Sequence, residues 1–391
     1  MMVSNEHETT TTSEQTAVTT YNLLITGGSG FIASNFLLNV INTYPHYKFV
    51  NLDRLDYCSN SSTVPLSYDS NSETYDSNSE GYDSNAYNDD SSVATRSNYT
   101  FVKGDITDAE LVSKLLVEHN INVVMHFAAQ SHVDRSFTDQ LSYIDTNIVG
   151  TYTLLECCRK YMAAGHNISK FIHVSTDEVY GDSELVKDET APLLPTNPYS
   201  ASKAAAEMIC HAYYKSFKIP LIITRGNNVY GPWQYHEKVV PRFIRLLQNG
   251  GKCTIHGSGN YYRSFLHVDD VVAAFNVILH KGVIGNIYNI GTDVEISILQ
   301  VAQLCVGYLK GLSANVDDYL IFVADRVYND KSYPVNSEKL KKLGWAPAIS
   351  FETGLKSTID WYLTHDDSYW LSGSASDSND SGNSNSTSLT G

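Results

Sequence analysis

The feature that most restricts the possible folds is a glycine-rich turn between a short apolar run and a helical pattern. The apolar run is 22–26, the turn is Gly27-Gly28-Ser29-Gly30, and the helical pattern continues to residue 41. Glycines let a backbone approach a pyrophosphate closely, and a helix N-terminus offers free N–H groups and the positive end of its dipole. This arrangement predicts a dinucleotide-binding site, although a glycine turn alone also occurs in α/β proteins without one.

An acidic residue at the end of the next predicted strand strengthens this interpretation. The strand at 48–52 ends at Asp53, about 20 residues beyond the glycine turn, where a carboxylate binds the hydroxyls of an adenosine ribose. A carboxylate there favours NAD over NADP. Arg54 follows directly, and its positive charge leaves both cofactors possible.

Apolar runs and helical patterns continue to alternate along the chain. Further strands are predicted at 99–103, 123–127, 171–175 and 221–225. Such alternation is typical of a parallel sheet with helices on both faces. We therefore expect an α/β fold with a Rossmann-type doubly wound parallel sheet over residues 21–225. A smaller α/β substrate-binding lobe is expected mainly over 226–365, with some segments of that range returning to the Rossmann domain.

Three segments break the pattern. Residues 60–98 contain Tyr-Asp-Ser-Asn at 68, 75 and 82, a seven-residue repeat without an aliphatic position, so it cannot form a coiled coil. The terminal segments 1–20 and 366–391 are equally poor in apolar residues. We predict that all three are disordered, the first as a low-complexity surface insert. They carry most of the formal charge of −16, so the remaining body is close to neutral.

Several protein classes are disfavoured by the composition. The sequence lacks the stripe of basic residues that a nucleic-acid-binding surface needs. It also lacks a run of about 18 apolar residues, which a membrane span would need. The six cysteines show neither a disulfide framework nor the spacing of metal ligands, so no metal is expected. With no apolar signal segment near residue 1, a reduced, cytoplasmic protein is the expectation.

Two groups of reactive side chains stand out in the middle of the chain. The strand at 171–175 runs directly into Thr176, Asp177 and Glu178, at the edge where parallel sheets bind ligands. Most acidic pairs are surface residues, but this position favours a functional role. Two adjacent carboxyl groups in a closed site raise one pKa, which supplies a general acid.

The second group lies at a predicted helix start. Asn197-Pro198 combines a good N-cap with a good first helical residue. Tyr199 and Lys203 follow, four positions apart, so they share one helix face. We expect the ammonium group to lower the pKa of the phenol, which could then accept a proton from a sugar hydroxyl near neutral pH.

Together these motifs resemble the extended short-chain dehydrogenase/reductase family, and within it the nucleotide-sugar 4,6-dehydratases that act on dTDP-glucose or UDP-glucose. The resemblance covers roughly 21–365 without the insert, and its most specific part is Ser-Thr-Asp-Glu-Val-Tyr-Gly at 175–181. The related 4-epimerases and decarboxylases lack the Asp-Glu pair.

The resemblance implies a role for each residue of the two reactive groups. Tyr199, helped by Lys203 and Thr176, would take the proton of the sugar 4-hydroxyl while a hydride passes to NAD. Glu178 would then remove the proton from carbon 5, and Asp177 would protonate the leaving 6-hydroxyl. Return of the hydride to carbon 6 regenerates NAD, which stays bound.

The resemblance also implies two sets of binding residues. NAD would be bound by Gly27, Gly30, Phe31, Ile32, Asp53, Arg54, Asp105, Ile106, Ala128, Ala129, Gln130, Thr146, Tyr199, Lys203 and Val229. The sugar nucleotide would be bound by His132, Thr176, Asn228, Lys238, Val239, Thr254, Ile255, His256, Arg263 and Asn289. Lys238 and Arg263 suit a pyrophosphate, although Arg263 could instead form a structural ion pair and the two histidines could be packing residues.

Three functions remain open at this point: the dehydratase, a 4-epimerase on the same fold, and a non-catalytic sensor of NAD or sugar nucleotides. The sequence does not choose between dTDP and UDP. We further expect a homodimer formed by the helix after Asn147 and the helix that carries Tyr199. Both helices should be apolar on the face away from the sheet, through Leu154, Leu155 and Cys158 on one and Met208, Ile209 and Ala212 on the other.

Overall fold

The computed structural model describes residues 20–64, 67–69, 93–325 and 330–365. The predicted disorder of both terminal segments, and of the repeat in the insert, lies almost entirely outside these residues. Among the described helices, none combines the length and the apolar character that a membrane span requires.

The strands, in chain order, are β1 Asn22–Thr26, β2 Lys48–Asp53, β3 Ser67–Asp69, β4 Val93–Thr95, β5 Tyr99–Lys103, β6 Val123–His126, β7 Lys170–Thr176, β8 Leu221–Gly226, β9 Asn228–Tyr230, β10 Cys253–His256, β11 Tyr262–His267, β12 Ile287–Ile290, β13 Glu295–Ser297 and β14 Leu320–Val323.

The helices are α1 Phe31–Thr43, α2 Ala109–Glu118, α3 Val133–Ser136, α4 Gln140–Tyr143, α5 Gly150–Ala163, α6 Pro198–Phe217, α7 Val239–Gln248, α8 Val268–Lys281, α9 Ile298–Lys310, α10 Glu338–Lys341 and α11 Phe351–Thr364. A π-helical segment, Ile144–Val149, leads into α5, and a short 3₁₀ turn, Asp177–Tyr180, follows β7.

A seven-stranded parallel sheet in the order β12-β8-β7-β6-β1-β2-β5 forms the centre of the fold. The chain leaves β1 toward β2 and β5, and then returns to the other side of β1 to place β6. Neighbouring crossovers therefore diverge at β1 and β6, which opens a crevice at the carboxyl ends of these strands. The predicted Rossmann-type doubly wound sheet is confirmed.

Each face of the sheet is covered by helices over an apolar core. One core packs α1 and α8 against the sheet, with Phe36 and Phe275 at its centre. The other packs α2, α5 and α6 against the opposite face. Because both faces are buried, the strands are nearly continuous apolar runs, as in β6, where every residue is buried.

A third core belongs to a smaller lobe built from α7, α9, α11 and short strands. The strands form the pair β10-β14 and the three-stranded order β13-β11-β9. Strand β12 lies in the main sheet beside β8, although it comes from the range 226–365. The smaller lobe closes over the carboxyl edge of the main sheet through β9, which directly follows β8.

Two sequence expectations need correction. Residues 60–64, assigned to the disordered insert, belong to the body, because Asn60 caps a 3₁₀ turn and the Val64 side chain is buried in a core. Leu154, Leu155 and Cys158 do not face away from the sheet: all three are fully buried against it. The helical period makes them the inward face of α5, since the sheet offers the larger apolar surface.

Candidate active site

The glycine turn lies at the crevice and brings the backbone close to strand β6. Gly27 has φ +70°, and a Cβ atom there would lie 2.6 Å from Cα of Ala128. A larger residue would therefore be strained and would collide with the backbone at the end of β6. Helix α1 begins one residue after Gly30, which has no capping side chain, so the helix N-terminus is presented to the cavity.

Asp53 holds the turn from the end of β2. Its carboxylate accepts hydrogen bonds from Ser29 N at 2.9 Å and from Leu55 N at 2.8 Å. Burial raises the pKa of Asp53, while these backbone hydrogen bonds oppose that shift. The carboxylate is thus fixed at the edge of the cavity by the turn that it faces.

Arg54 is engaged by two acidic side chains. Its guanidinium lies 2.7 Å from the carboxylate of Asp56 and 3.2 Å from that of Asp105. Both partners also accept hydrogen bonds from it. The positive charge of Arg54 is therefore compensated locally, which reduces its ability to bind a phosphate group.

Helix α6 positions Tyr199 and Lys203 as its N-terminal residues predict. Asn197 and Ser200 form a reciprocal capping box, which fixes the helix start. Lys203 Nζ donates to the carbonyl oxygen of Val174 at 2.7 Å. Burial lowers the pKa of Lys203 to about 8.

The expected lowering of the Tyr199 pKa is wrong for this structure. Burial, followed by the negative charge of Glu178, raises the pKa of Tyr199, and the hydrogen bond between the Tyr199 and Thr176 hydroxyls opposes the shift. The ammonium group of Lys203 donates a hydrogen bond to the Val174 carbonyl. Sharing a helix face therefore did not suffice to set the pKa.

The two acids occupy the 3₁₀ turn that follows β7. Asp177 is buried and accepts hydrogen bonds from Asn227 Nδ2 at 2.7 Å and from the Thr176 hydroxyl at 3.1 Å. Burial and the charge of Glu178 raise the pKa of Asp177 to about 7. Burial also raises the pKa of Glu178, which accepts a hydrogen bond from Asn197 Nδ2 at 3.2 Å.

A single cavity joins these features. It is lined by every residue that the resemblance assigned to the cofactor, from Gly27 and Asp53 at one end to Tyr199, Lys203 and Val229 at the other, and by the three residues Thr176, Asp177 and Glu178. Among the described residues, no cluster of acids, histidines and cysteines could hold a metal ion.

The residues assigned to the sugar nucleotide are only partly brought together. Thr176, Asn228 and Lys238 line the cavity. His132 lies next to it, with Nδ1 3.6 Å from the carboxylate of Glu237, which does line it. Arg263 is close enough for its charge to lower the pKa of both Asp177 and Glu178.

The other assigned residues are not among those that line this cavity. Val239 begins α7, and Thr254, Ile255 and His256 form β10 in the smaller lobe. Asn289 is fully buried in β12, and its side chain is hydrogen-bonded to the Tyr180 hydroxyl and to the carbonyls of Lys187 and Asn336.

The structure adds residues that sequence reasoning missed. Asn227 contacts Asp177, Asn197 contacts Glu178, and Asp56, Tyr57 and Glu237 line the cavity. Asn227 could have been found, because it directly follows a predicted strand at the ligand-binding edge of the sheet. No sequence signal indicates Asp56 or Tyr57.

The diverging crossovers, the glycine turn and the Tyr-Lys pair in one cavity define a Rossmann-type enzyme of the short-chain dehydrogenase/reductase class. A family model described as GDP-mannose 4,6 dehydratase matches residues 24–358. The chain belongs to this family, and the resemblance inferred from the sequence is confirmed.

Similar proteins include two groups of dehydratases. The mouse dTDP-D-glucose 4,6-dehydratase is 43% identical over 343 residues, which cover 87% of this chain and 88% of that protein. A trifunctional UDP-glucose 4,6-dehydratase/UDP-4-keto-6-deoxy-D-glucose 3,5-epimerase/UDP-4-keto-L-rhamnose-reductase of Arabidopsis thaliana is 44% identical over 360 residues, or 90% of this chain. The chain spans about half the length of that relative (49%).

Solved structures give the same family relationship. The dTDP-glucose 4,6-dehydratase of Streptomyces venezuelae, crystallised with NAD and TDP, has a TM-score of 0.76 at 32% identity and covers 90% of this chain and 99% of its own. The UDP-glucose 4-epimerase of Thermotoga maritima has a TM-score of 0.72 at 27% identity, covering 87% of this chain and 98% of its own.

Proposed function

We propose that the protein is an NAD-dependent nucleotide-sugar 4,6-dehydratase that converts dTDP-glucose or UDP-glucose to the 4-keto-6-deoxy sugar nucleotide and water. The observation that carries this proposal is the pair of the buried Asp177 and the half-buried Glu178 beside Tyr199 and Lys203 in one cavity. Oxidation at carbon 4 requires NAD, Tyr199, Lys203 and Thr176, but no carboxyl group. Elimination of the 6-hydroxyl additionally requires an acid and a base, and the two carboxyl groups fit that requirement.

The residues that line the cavity fit an NAD molecule. The N-terminus of α1 and the close approach at Gly27 suit a pyrophosphate, and Asp53 suits the adenosine ribose. Arg54 is compensated by Asp56 and Asp105, and Asp53 would repel a 2′-phosphate, so NAD is favoured over NADP. When bound, NAD supplies the hydride acceptor and a positively charged ring.

Tyr199 is proposed to accept the proton from the 4-hydroxyl group. The raised pKa of Tyr199 keeps it a neutral phenol in the free protein, so a positive charge near the hydroxyl is needed before it can act as a base. Lys203 is held toward the cavity by the Val174 carbonyl, and the Tyr199 hydroxyl is hydrogen-bonded with that of Thr176.

Asp177 is proposed to be the acid and Glu178 the base of the elimination. A pKa of about 7 keeps roughly half of the Asp177 side chains protonated near neutral pH, so a proton is available for the leaving 6-hydroxyl. Glu178 is only half-buried and lines the cavity. Burial raises the pKa of Glu178, and the hydrogen bond from Asn197 and the charges of Arg263 and Lys238 oppose that rise, which favours the carboxylate that a base requires.

A 4-epimerase is the second candidate, because several solved epimerases share this fold, with TM-scores of 0.72 to 0.73 for those bound to sugar nucleotides. An epimerase moves hydride to and from carbon 4 and has no use for an acid at the 6-hydroxyl. The buried, raised-pKa Asp177 therefore favours the dehydratase. A non-catalytic sensor would have no use for the Asp177-Glu178 pair or for the Tyr199-Lys203 pair.

Turnover of dTDP-glucose and of UDP-glucose tests all three functions. The dehydratase gives a 4-keto-6-deoxy product and releases one water per turnover, whereas an epimerase gives the galactose isomer. Mass and NMR analysis of the products separates these outcomes. The ratio of kcat/KM for the two substrates identifies the nucleotide. Absence of turnover with both, in protein shown to contain NAD, contradicts the dehydratase and epimerase alike.

We infer further that the protein forms a homodimer through the outer faces of α5 and α6. These helices pack side by side, and their solvent side exposes the large apolar side chains of Tyr152, Met208 and Phe217. Ile144 and Val149, in the π-helical segment that leads into α5, are exposed as well. Such a set on two adjacent helices is typical of an association surface. A second copy would bury it by helix-to-helix packing.

We also infer a cytoplasmic location. All six cysteines are free, and five of them are buried, which suits a reducing compartment. Cell fractionation with an antibody to the protein tests this location.

A further inference from the structure

A buried hydrogen-bond network lies behind the two acids and outside the cavity. Arg225, at the end of β8, binds the carboxylate of Glu207 through Nε at 3.1 Å and Nη2 at 2.7 Å. Its Nη1 donates to the Tyr180 hydroxyl at 2.8 Å, and that hydroxyl donates to Asn289 Oδ1 at 2.8 Å. At most 4% of the Arg225 and Glu207 side chains is exposed.

The network connects the two chemically distinct parts of the site. Glu207 follows Tyr199 and Lys203 on α6 at intervals of four residues, so all three project from one face of the helix. Tyr180 is the last residue of the 3₁₀ turn that begins with Asp177. The chain of contacts from Glu207 through Arg225 to Tyr180 therefore runs from the Tyr-Lys helix to the turn that carries the acids.

Both hydrogen-bonding roles of the Tyr180 hydroxyl are occupied. It accepts from Arg225 and donates to Asn289, so its ring is fixed in one orientation. The guanidinium also lies over the Tyr180 ring, 4.7 Å from its centroid. Because Glu207 neutralises Arg225, the network contributes little net charge, and its effect on the acids is through their position.

We propose that Tyr180, held between Arg225 and Asn289, is a positioning residue that aligns Asp177 and Glu178 with the substrate oxidised by Tyr199. The inference rests on the proposed dehydratase function and concerns only the elimination step, which follows the oxidation at carbon 4. Tyr180 and Asn289 do not line the cavity, so neither is a catalytic residue. Asn289, which the resemblance assigned to the sugar nucleotide, acts in this proposal through the Tyr180 hydroxyl.

The test is the Tyr180→Phe variant of the NAD-containing enzyme in single turnover with the preferred sugar nucleotide. The absorbance of bound NADH measures the oxidation step, and the amount of 4-keto-6-deoxy product measures the elimination step. A misplacement of about 1 Å can reduce a rate about 100-fold. We therefore expect product formation to fall about 10- to 100-fold and oxidation to change less than about threefold, so that NADH accumulates.

Tyr288→Phe is the matched control. Tyr288 is also buried, in β12 next to Asn289, and its hydroxyl accepts a hydrogen bond from Val283 N at 3.0 Å. Removal of the Tyr288 hydroxyl leaves the acid-bearing turn untouched and costs one hydrogen bond, whereas removal of the Tyr180 hydroxyl costs two. We expect this variant to show the wild-type balance of oxidation and elimination, even if its melting temperature falls.

The outcomes separate the possible failures. The positioning role is refuted if the Tyr180→Phe variant keeps the wild-type ratio of the oxidation rate to the elimination rate. A variant that slows both steps equally keeps that ratio and also refutes it. If Tyr180→Phe does not fold, Asn289→Ala removes the acceptor of the same hydroxyl and must produce the same accumulation of NADH. A wild-type enzyme that forms no 4-keto-6-deoxy product refutes the proposed function and this inference with it.

Discussion

The side-chain amide of Asn227 donates a hydrogen bond of 2.7 Å to the carboxyl group of Asp177, and both side chains are buried. The orientation of this amide is fixed, because its oxygen accepts a hydrogen bond from Thr292 N at 3.0 Å. A donor stabilises the charged carboxylate and lowers the pKa of Asp177, against the larger effects of burial and of Glu178. The balance of these three effects brings the pKa of Asp177 close to neutral pH.

Elimination should therefore slow as the pH rises through about 7, because the acid form of Asp177 is lost there. Asn227→Ala removes a donor to the carboxylate, which raises the pKa of Asp177 and should move this decline to higher pH. The pH dependence of kcat for product formation measures the shift. Asn228→Ala, at a neighbouring cavity residue that makes no bond to Asp177, is the control and should leave the decline in place. An unchanged pH profile in Asn227→Ala contradicts the assignment.

Replacing Asp177 should also stabilise the protein at high pH. The unfolded side chain titrates near 3.9, whereas the folded one titrates at about 7. Between these values the folded state binds more protons, so stability falls as the pH rises and stays low above pH 7. Asp177→Asn removes this loss, and we expect a gain of roughly 1–3 kcal/mol in the free energy of unfolding at pH 8.

Urea unfolding at pH 8 and at pH 5 measures the effect, which should be smaller at the lower pH. The exposed Asp360 provides the control, because Asp360→Asn should change neither value. If the Asp177→Asn variant is no more stable than wild type at pH 8, the prediction is wrong. The Asp177 carboxylate would then be well solvated in the folded protein.

The two half-reactions should separate on mutation of Glu178 and Tyr199. Glu178→Gln keeps the shape and removes the base, so bound NADH should accumulate while product formation falls about 10²–10⁴-fold. Tyr199→Phe should give no NADH, because the first proton transfer is lost. Rapid mixing with substrate, followed by absorbance and product analysis, distinguishes the two variants. A near wild-type rate of product formation in Glu178→Gln would assign the base to another group.

Cofactor selectivity should depend on Asp53 and hardly at all on Arg54. Asp53→Asn removes the charge that repels a 2′-phosphate, so the ratio of NADP to NAD affinity should rise about tenfold or more. Arg54→Ala should leave that ratio nearly unchanged, because Asp56 and Asp105 already compensate the guanidinium. Calorimetric titration of cofactor-free protein measures both ratios. A large loss of NADP affinity in Arg54→Ala contradicts this account.

A charge on the outer face of α6 should dissociate the proposed dimer. Met208 is 55% exposed there, and Met208→Glu would place an unpaired carboxylate in the apolar interface. Sedimentation at micromolar concentration should give a dimer for wild type and a monomer for the variant. Leu312→Glu, at a fully exposed site in the smaller lobe, should remain dimeric. A monomeric wild type would refute the proposal.

Much of the fold followed from local patterns. The glycine turn, the apolar strands and the Asn197-Pro198 helix start predicted the Rossmann-type sheet and the position of α6, which begins at Pro198 as expected. The boundary of the insert was less predictable, since Val64 lies in a largely polar segment and its burial depends on the α1 core. The inward face of α5 was likewise set by packing against the sheet.

The sequence by itself determined which residue types stand at the carboxyl edge of the sheet, because strand and helix periods and glycine sterics are local properties. Only the tertiary structure decided how those side chains are paired and ionised. Asn227 meets Asp177 across 50 residues, Arg225 meets Tyr180 across 45, and burial rather than Lys203 controls the pKa of Tyr199. Hydrogen-bond partners and desolvation depend on atoms brought together from distant parts of the chain, which no local pattern records.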